Sequence, residues 1–344
     1  MAYDKFIKTA SNTIIDYIIV IDLSNCSTQF KAAWNTNSNG YGRAYKNDGT
    51  ELACDWINLN YAAGTGIVKI RWSGIFSAVL PNILKLYPPI SSRTQYSESS
   101  TYGKNNVYTD YIASYPLITG PEERTGKGYD LVVSGAVLQS GGGYFFDGDN
   151  DRLREGDNKI SVENFQNDFT VLSKFNMLSL GGESDDGRLY EKAEGTNVIN
   201  GFGSFCINLG VNSIGFKVNA GTPVITNELS FSTIYNSAIT YDVSSGDVTH
   251  YINGSLNGTP ASTNVAGITT TNPLTIGNRS SGIDKGFHGY IYGVDFISGI
   301  LSANWINEYY LQDIDNTTYW GSSTWEPDVI CKPSLSIGIR SAIC

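Results

Sequence analysis

The sequence predicts an all-β protein: a small N-terminal β-sandwich, then a jelly roll of two packed antiparallel sheets with one short helix. Three observations predict it. Of 344 residues, 37 are glycine and 22 tyrosine, while only 16% are charged. That composition is too aromatic for a disordered chain and too rich in glycine and tyrosine for a helical one. Short β-branched and aromatic runs recur along the chain, and each is bounded by turn residues.

The first region spans residues 1–105. Tyr17-Ile-Ile-Val-Ile-Asp-Leu23 reads as a buried strand. Asn47-Asp48-Gly49-Thr50 is a turn signal between residues 41–46 and 51–57, hence a hairpin. Residues 66–72 alternate Ile67, Lys69 and Arg71 against Val68, Ile70 and Trp72, a half-buried strand. Residues 83–87 form another, which Pro88 and Pro89 are expected to end. Residues 91–106, rich in Ser, Tyr, Thr and Asn, read as a linker or a long irregular connection.

The second region spans residues 106–322. Strands are expected at residues 169–175, 204–209, 213–218, 228–234, 274–277 and 289–297. His250-Tyr-Ile-Asn-Gly254 is a strand entering an Asn-Gly turn. One helix is expected. Ser302 caps it, and Trp305, Ile306, Tyr309 and Tyr310 share a face that should brace the sandwich. Residues 323–344 read as a C-terminal arm that packs on a neighbour.

The formal net charge of −10 disfavours nucleic acid and anionic membranes, because phosphate binding needs a Lys/Arg stripe. The apolar run near the N-terminus is interrupted by Asp16 and Asp22, a strand pattern rather than a membrane span or an export signal. Synthesis in a cytoplasm is therefore expected, with no membrane insertion. Five cysteines (Cys26, Cys54, Cys206, Cys331, Cys344) are scattered, without the Cys-x-x-Cys or Cys/His grouping that zinc requires. They read as isolated thiols, with a Cys331–Cys344 tail disulfide as the alternative.

Three stretches of the second region resemble the laminin-G-like and pentraxin-like jelly rolls of the concanavalin A-like superfamily. Phe145-Phe-Asp-Gly-Asp-Asn-Asp-Arg-Leu153 resembles the opening F-D-G-x-x-D strand. Thr249-His-Tyr-Ile-Asn-Gly-Ser-Leu-Asn257 resembles the x-Y-V-N-G hairpin. Leu274-Thr-Ile-Gly-Asn278, Phe287-His-Gly-Tyr-Ile-Tyr-Gly-Val-Asp-Phe-Ile297 and Leu301-Ser302 resemble the closing signature. The first region resembles an uncharacterised β-domain that commonly precedes such jelly rolls in microbial and phage proteins. Lys46-Asn-Asp-Gly-Thr-Glu-Leu52 and the junction Asn106-Val-Tyr-Thr-Asp-Tyr-Ile-Ala-Ser-Tyr-Pro-Leu117 carry that resemblance; the family's Tyr-Tyr-Gly-Asn is replaced by Leu86-Tyr87-Pro88-Pro89.

A jelly-roll glycosidase needs two carboxylates across a sheet. The closest approach to the laminarinase-type E-x-D-x-x-E pattern is Glu155-Gly-Asp157-Asn-Lys-Ile160, whose last acid is missing, and Glu183-Ser-Asp185-Asp186 reads as a loop. The two histidines, His250 and His288, lack a G-x-S-x-G nucleophile elbow. No catalytic residue is assigned and no enzyme is expected. Asp147, Asp149 and Asp151 stand at alternate positions and could converge on Ca²⁺; Arg152 and Asn158 stand where an EF-hand needs Gly and Glu. The competing reading is an Asx turn at Asp147 with the other acids solvated. Sugar binding needs exposed aromatics with polar neighbours, and Tyr190, Asn197, Asn278, Arg279 and Asp284 are the loop candidates.

The function expected is that of a phage virion surface structural protein, in the head decoration or fibre or in the tail fibre or baseplate. Its jelly roll would bind a cell-surface glycan or receptor. The chain would form a homo-oligomer, for which a trimer fits, and contact other virion proteins. An exported bacterial adhesin or carbohydrate-binding module, and a glycan hydrolase or lyase with an unrecognised site, are the alternatives.

Overall fold

The computed structural model describes residues 2–35, 41–60, 62–90, 93–156, 158–195, 197–265 and 268–327. Its strands form four antiparallel sheets in two sandwiches.

The N-terminal sandwich packs a five-stranded sheet on a three-stranded one. Phe6, Leu84 and Leu86 from the first meet Ile19, Ile21, Val68 and Ile70 from the second in one buried cluster. The hairpin at Asn47 forms, but its second arm divides. Glu51–Leu52 pairs with Tyr41–Lys46, whereas Cys54–Asn60 crosses to pair with Thr65–Phe76. Asp16 takes a left-handed φ of 51° in a bulge of Ile14–Asp22 and accepts the Gly74 N–H at 2.7 Å. Short acidic side chains tolerate that conformation.

Several expectations are corrected. The strand Asn82–Ile90 continues through Pro88 and Pro89. Pairing with Ala2–Lys8 stops at Leu86, and the Tyr41–Lys46 partner is bulged opposite the prolines, so their missing N–H groups break no ladder. In the expected linker, Tyr102 accepts the Cys54 N–H and Tyr96 donates to Glu51, so this segment is bonded to the sandwich. Among the described residues two further α-helices occur. Thr28–Asn35 (α1) buries Phe30 and Trp34, and Asn316–Trp320 (α3) follows the expected helix, here α2, Ala303–Ile314. No strand forms at residues 228–233. Of the C-terminal arm, Thr324–Pro327 pairs with Ala2–Lys5 of its own chain. The rest, including Cys331 and Cys344, lies outside the described residues.

The larger sandwich packs a nine-stranded sheet on a seven-stranded one. Phe165, Phe169, Phe202, Phe216 and Phe296 interlock between them, with Phe165 and Phe202 ring centroids 4.7 Å apart. The chain passes between the sheets through the acidic turn. Tyr144–Asp147 belongs to the nine-stranded sheet and Arg152–Glu155 to the seven-stranded one. The two resemblance motifs meet here. Gly277 has φ +82°, and a Cβ on it would fall 2.0 Å from the Phe146 ring.

Ser302 caps α2 as expected, accepting the Trp305 N–H at 3.2 Å. The helix does more than brace the jelly roll, because it also joins the N-terminal sandwich. Trp305 meets Tyr17 edge to face at 5.4 Å, and Glu308 accepts the Ser11 N–H and the Tyr319 hydroxyl. Leu172, Ala238 and Ile297 of the nine-stranded sheet sit in the same cluster as this N-terminal core.

Candidate functional site

The strand His288–Ser298 carries a bulge. Lys174 faces Gly293 and Phe175 faces Ile291, so Tyr292 is the extra residue. The extra residue resets the alternation. Ile291, Val294 and Phe296 all reach the core, while Tyr290, Tyr292 and Asp295 lie on the outer face. The Tyr290 and Tyr292 rings are stacked, 6.3 Å apart at 15°. Phe145, on the neighbouring strand, packs against Tyr290 at 5.2 Å and His288 at 6.3 Å. The result is a half-buried aromatic platform.

The platform runs into a cleft of about 250 Å³ on the outer face of the nine-stranded sheet. Lys174 and Asn236, opposite one another in the ladder, form part of its floor. Ile306, Tyr309, Tyr310 and Asp313 of α2 form one wall; Gly141, Gly142, Gly143, Pro116 and Ile118 form another; Ile67 and Lys69 close it from the N-terminal sandwich. Gly143 has φ +84°, and a Cβ there would press on the Tyr292 ring at 2.6 Å. The Asn253-Gly254 turn abuts α2, where Asn307 donates to the Gly254 carbonyl at 3.4 Å.

Lysines hold both cleft carboxylates. Lys174 pairs with Asp313 at 2.7 Å. Asp295 lies 3.8 Å from Lys69 and accepts the Ser114 hydroxyl at 2.6 Å. Burial pushes the Tyr292 phenol up, and burial with Asp295 and Asp313 nearby does the same to Tyr309. The tyrosines therefore offer neutral rings and hydroxyls. The cleft provides aromatic faces, hydroxyls, an amide and charge pairs, a donor and acceptor set matching a polyhydroxylated ring.

The structure does not gather the five loop candidates into a site. Tyr190 is wholly buried in the strand Arg188–Ala193, edge to face with Phe296 at 5.5 Å, so it presents nothing to a ligand. Asn278 is also buried. Its amide donates to the carbonyls of Asp149, Asp151 and Ile283, and its oxygen accepts the N–H groups of Arg279 and Lys285. Arg279 and Asp284 pair with each other, and Asn197 is exposed.

The acidic triplet forms the Asx turn. Asp147 accepts the Asp149 N–H at 2.9 Å, and Asp151 accepts the Asp147 N–H at 3.0 Å. Burial raises the pKa of Asp151, with Asp147 and Asp149 adding to it. Among the described residues no three acid, histidine or cysteine side chains are placed to hold a metal ion, so Asp147, Asp149 and Asp151 do not converge as a Ca²⁺ site.

Both histidines and several acids outside the cleft are engaged by neighbouring groups. His250 is buried, its Nε2 2.9 Å from the Val224 carbonyl, and burial lowers its pKa to about 4. His288 Nδ1 lies 2.7 Å from the Ser179 hydroxyl. Glu155 accepts the Ile160 and Leu274 N–H groups. Asp186 pairs with Arg188 and Lys285, and Arg188 with Glu191.

Two antiparallel sheets packed face to face around an aromatic core define a jelly-roll sandwich. Residues 147–307 match the family model of the concanavalin A-like lectin/glucanases superfamily, so this part of the chain is similar to its laminin-G-like domains. Similar solved structures include the receptor binding domain of botulinum neurotoxin C/D mosaic serotype (16% identity, 62% of this chain and 55% of that one, TM-score 0.46). A native heptameric SAP-like pentraxin from Limulus polyphemus also matches (15% identity, 41% and 68%, TM-score 0.33). So does domain 4 of AbnA, a GH43 extracellular arabinanase from Geobacillus stearothermophilus, in complex with arabinotriose (16% identity, 58% and 97%, TM-score 0.44). The chain spans about half the length of the neurotoxin binding domains it matches. No curated protein sequence matches it.

Proposed function

We propose that this protein binds glycans without cleaving them, through the cleft beside Tyr292, and is displayed on the surface of a virus particle. The stacked Tyr290–Tyr292 pair opening into the cleft carries the binding reading. Stacking on a sugar needs a fixed ring face with hydrogen-bonding groups beside it, and Lys174, Asn236 and Asp313 supply those groups. The pairing of Asp313 with Lys174 and of Asp295 with Lys69 supports binding over hydrolysis, because both cleft carboxylates are already engaged by lysines.

The particle-surface part of the reading draws support from the thiols. Cys26, Cys54 and Cys206 are all free, and burial pushes up the thiols of Cys26 and Cys206. That suits a chain folded in a reducing compartment, where phage structural proteins assemble. A closed homo-oligomer, a trimer in the simplest case, is part of this reading.

Binding to a glycan array, followed by calorimetry with Tyr292→Ala and a reducing-end assay, tests the cleft. Saturable binding that weakens by about tenfold or more in the variant, with no reducing ends released, is expected. Sugar release, or unchanged affinity in Tyr292→Ala, would overturn it. Light scattering tests the assembly, since a strict monomer at high concentration contradicts the particle reading.

A further inference from the structure

A second site lies on the other sheet. Arg152 and Arg154 stand at alternate positions of the strand Arg152–Glu155, with Leu153 between them buried in the core. Strand alternation therefore places both guanidinium groups on the outer face of the seven-stranded sheet, their Cα atoms about 6.6 Å apart. Both line a groove of about 480 Å³. Among the described residues neither forms an ion pair, whereas Arg43, Arg71, Arg124, Arg188 and Arg279 all do. Arg152 makes one long bond, to the Gly282 carbonyl at 3.4 Å. The Arg154 Nε is shut off from solvent with no hydrogen-bond partner. Burial and the adjacent Arg152 both lower the pKa of Arg154.

Two adjacent, partly desolvated cations are an unusual arrangement in a chain of net charge −10. An anion in the groove relieves both defects. We propose that this groove binds a carboxylate-bearing sugar, with Arg152 and Arg154 gripping the carboxylate. A planar guanidinium matches a carboxylate through two parallel N–H bonds. The groove is far larger than a lone inorganic anion requires. Val132 and Pro273 offer apolar surface for the C–H face of a sugar ring, while Ser134 and Asn158 offer hydroxyl and amide groups. The overall negative charge works against extended polyanions and leaves a small acidic unit as the fit. The site is independent of the tyrosine cleft, which lies on the other sheet.

Calorimetric titration with sodium glucuronate, glucose and sodium sulfate tests this, using the full chain and the variants Arg152→Gln, Arg154→Gln, Arg154→Lys and Tyr292→Ala. Glucuronate is expected to bind saturably and glucose not at all. Each Gln substitution should weaken glucuronate by about tenfold or more. Arg154→Lys, which keeps the charge and loses the fork, should also weaken it, and Tyr292→Ala should leave it unchanged. Circular dichroism identifies any variant that fails to fold, and the Lys variant then carries the test. Absence of glucuronate binding, equal binding of glucose, sulfate binding without glucuronate, or full affinity in a folded Arg154→Lys protein would each overturn the proposal. A loss caused by Tyr292→Ala would assign the acidic sugar to the cleft instead.

Discussion

Gln312 of α2 completes the free edge of a strand at Val20. Its side-chain oxygen accepts the Val20 N–H at 3.0 Å, and its amide donates to the Ile18 carbonyl at 2.7 Å. Asn316 continues the pattern, accepting the Asp22 N–H and donating to the Val20 carbonyl, to which the Trp320 indole also donates. Two helices thus do for Ile14–Asp22 what a neighbouring strand would, and the edge is closed to intermolecular pairing.

Removing Gln312 leaves a buried donor and acceptor without partners. Gln312→Ala should lower the unfolding free energy by about 2–4 kcal/mol, read from urea unfolding. Gln312→Glu should cost more, because a carboxylate cannot donate to Ile18 and adds a buried charge. A Gln312→Ala protein as stable as the parent would refute the edge-capping role.

Gly277 cannot carry a side chain. Gly277→Ala places a methyl into the Phe146 ring and imposes a left-handed φ on alanine. A loss of about 2 kcal/mol or more is expected, visible as a lower thermal midpoint. The double variant with Phe146→Leu should recover part of the steric component, which a double-mutant cycle measures.

His250 makes stability depend on pH. Its folded pKa is about 4 and its unfolded value about 6.5. The unfolded chain binds the extra proton, so the contribution is complete above pH ~6.5, declines as the pH falls toward ~4 and is flat below. The full span is roughly 3 kcal/mol. Urea unfolding at several pH values should show a His250→Gln variant less sensitive to pH in that window.

Asn278 locks the loop that follows Thr275–Ile276 onto the acidic turn. Asn278→Ala should destabilise by about 2–4 kcal/mol because several buried backbone groups lose their partners. Millimolar Ca²⁺ should leave the melting temperature of the parent unchanged, since Asp147 and Asp151 each commit an oxygen to backbone N–H groups. A Ca²⁺-dependent rise in melting temperature would show that the turn rearranges to bind the ion.

Features that local chemistry dictates were legible in the sequence. The Asn253-Gly254 turn, the Ser302 cap and the two motifs that meet at Gly277 all read correctly because each depends on a few adjacent residues. Tyr190 did not. Its strand reads as a polar loop because Arg188, Glu191 and Lys192 are charged, yet all three are buried and satisfied by one another or by Asn158, Ser280 and Asn272. Such compensation is tertiary and leaves no local signal. The cleft was equally hidden. The spacing of Ile291, Val294 and Phe296 is the trace of the Tyr292 bulge, but only the partner strand reveals the register. The arginine pair was visible as sequence, and what could not be read was that, among the described residues, neither guanidinium forms an ion pair.

The pairing of Ala2–Lys5 with Thr324–Pro327 also has a mechanical consequence. Ala2 faces Pro327, and Lys5 faces Thr324. A pull applied at Ala2 and Pro327 therefore acts at the same end of an antiparallel ladder and loads its bonds one after another rather than together. Tension peels the edge strand Thr324–Pro327 away first, with the Lys5–Glu326 ion pair, before it loads the inner strands of the N-terminal sheet. Anchored by those two points, the molecule behaves as a tether with a built-in slack link, yielding at low force while both cores stay intact.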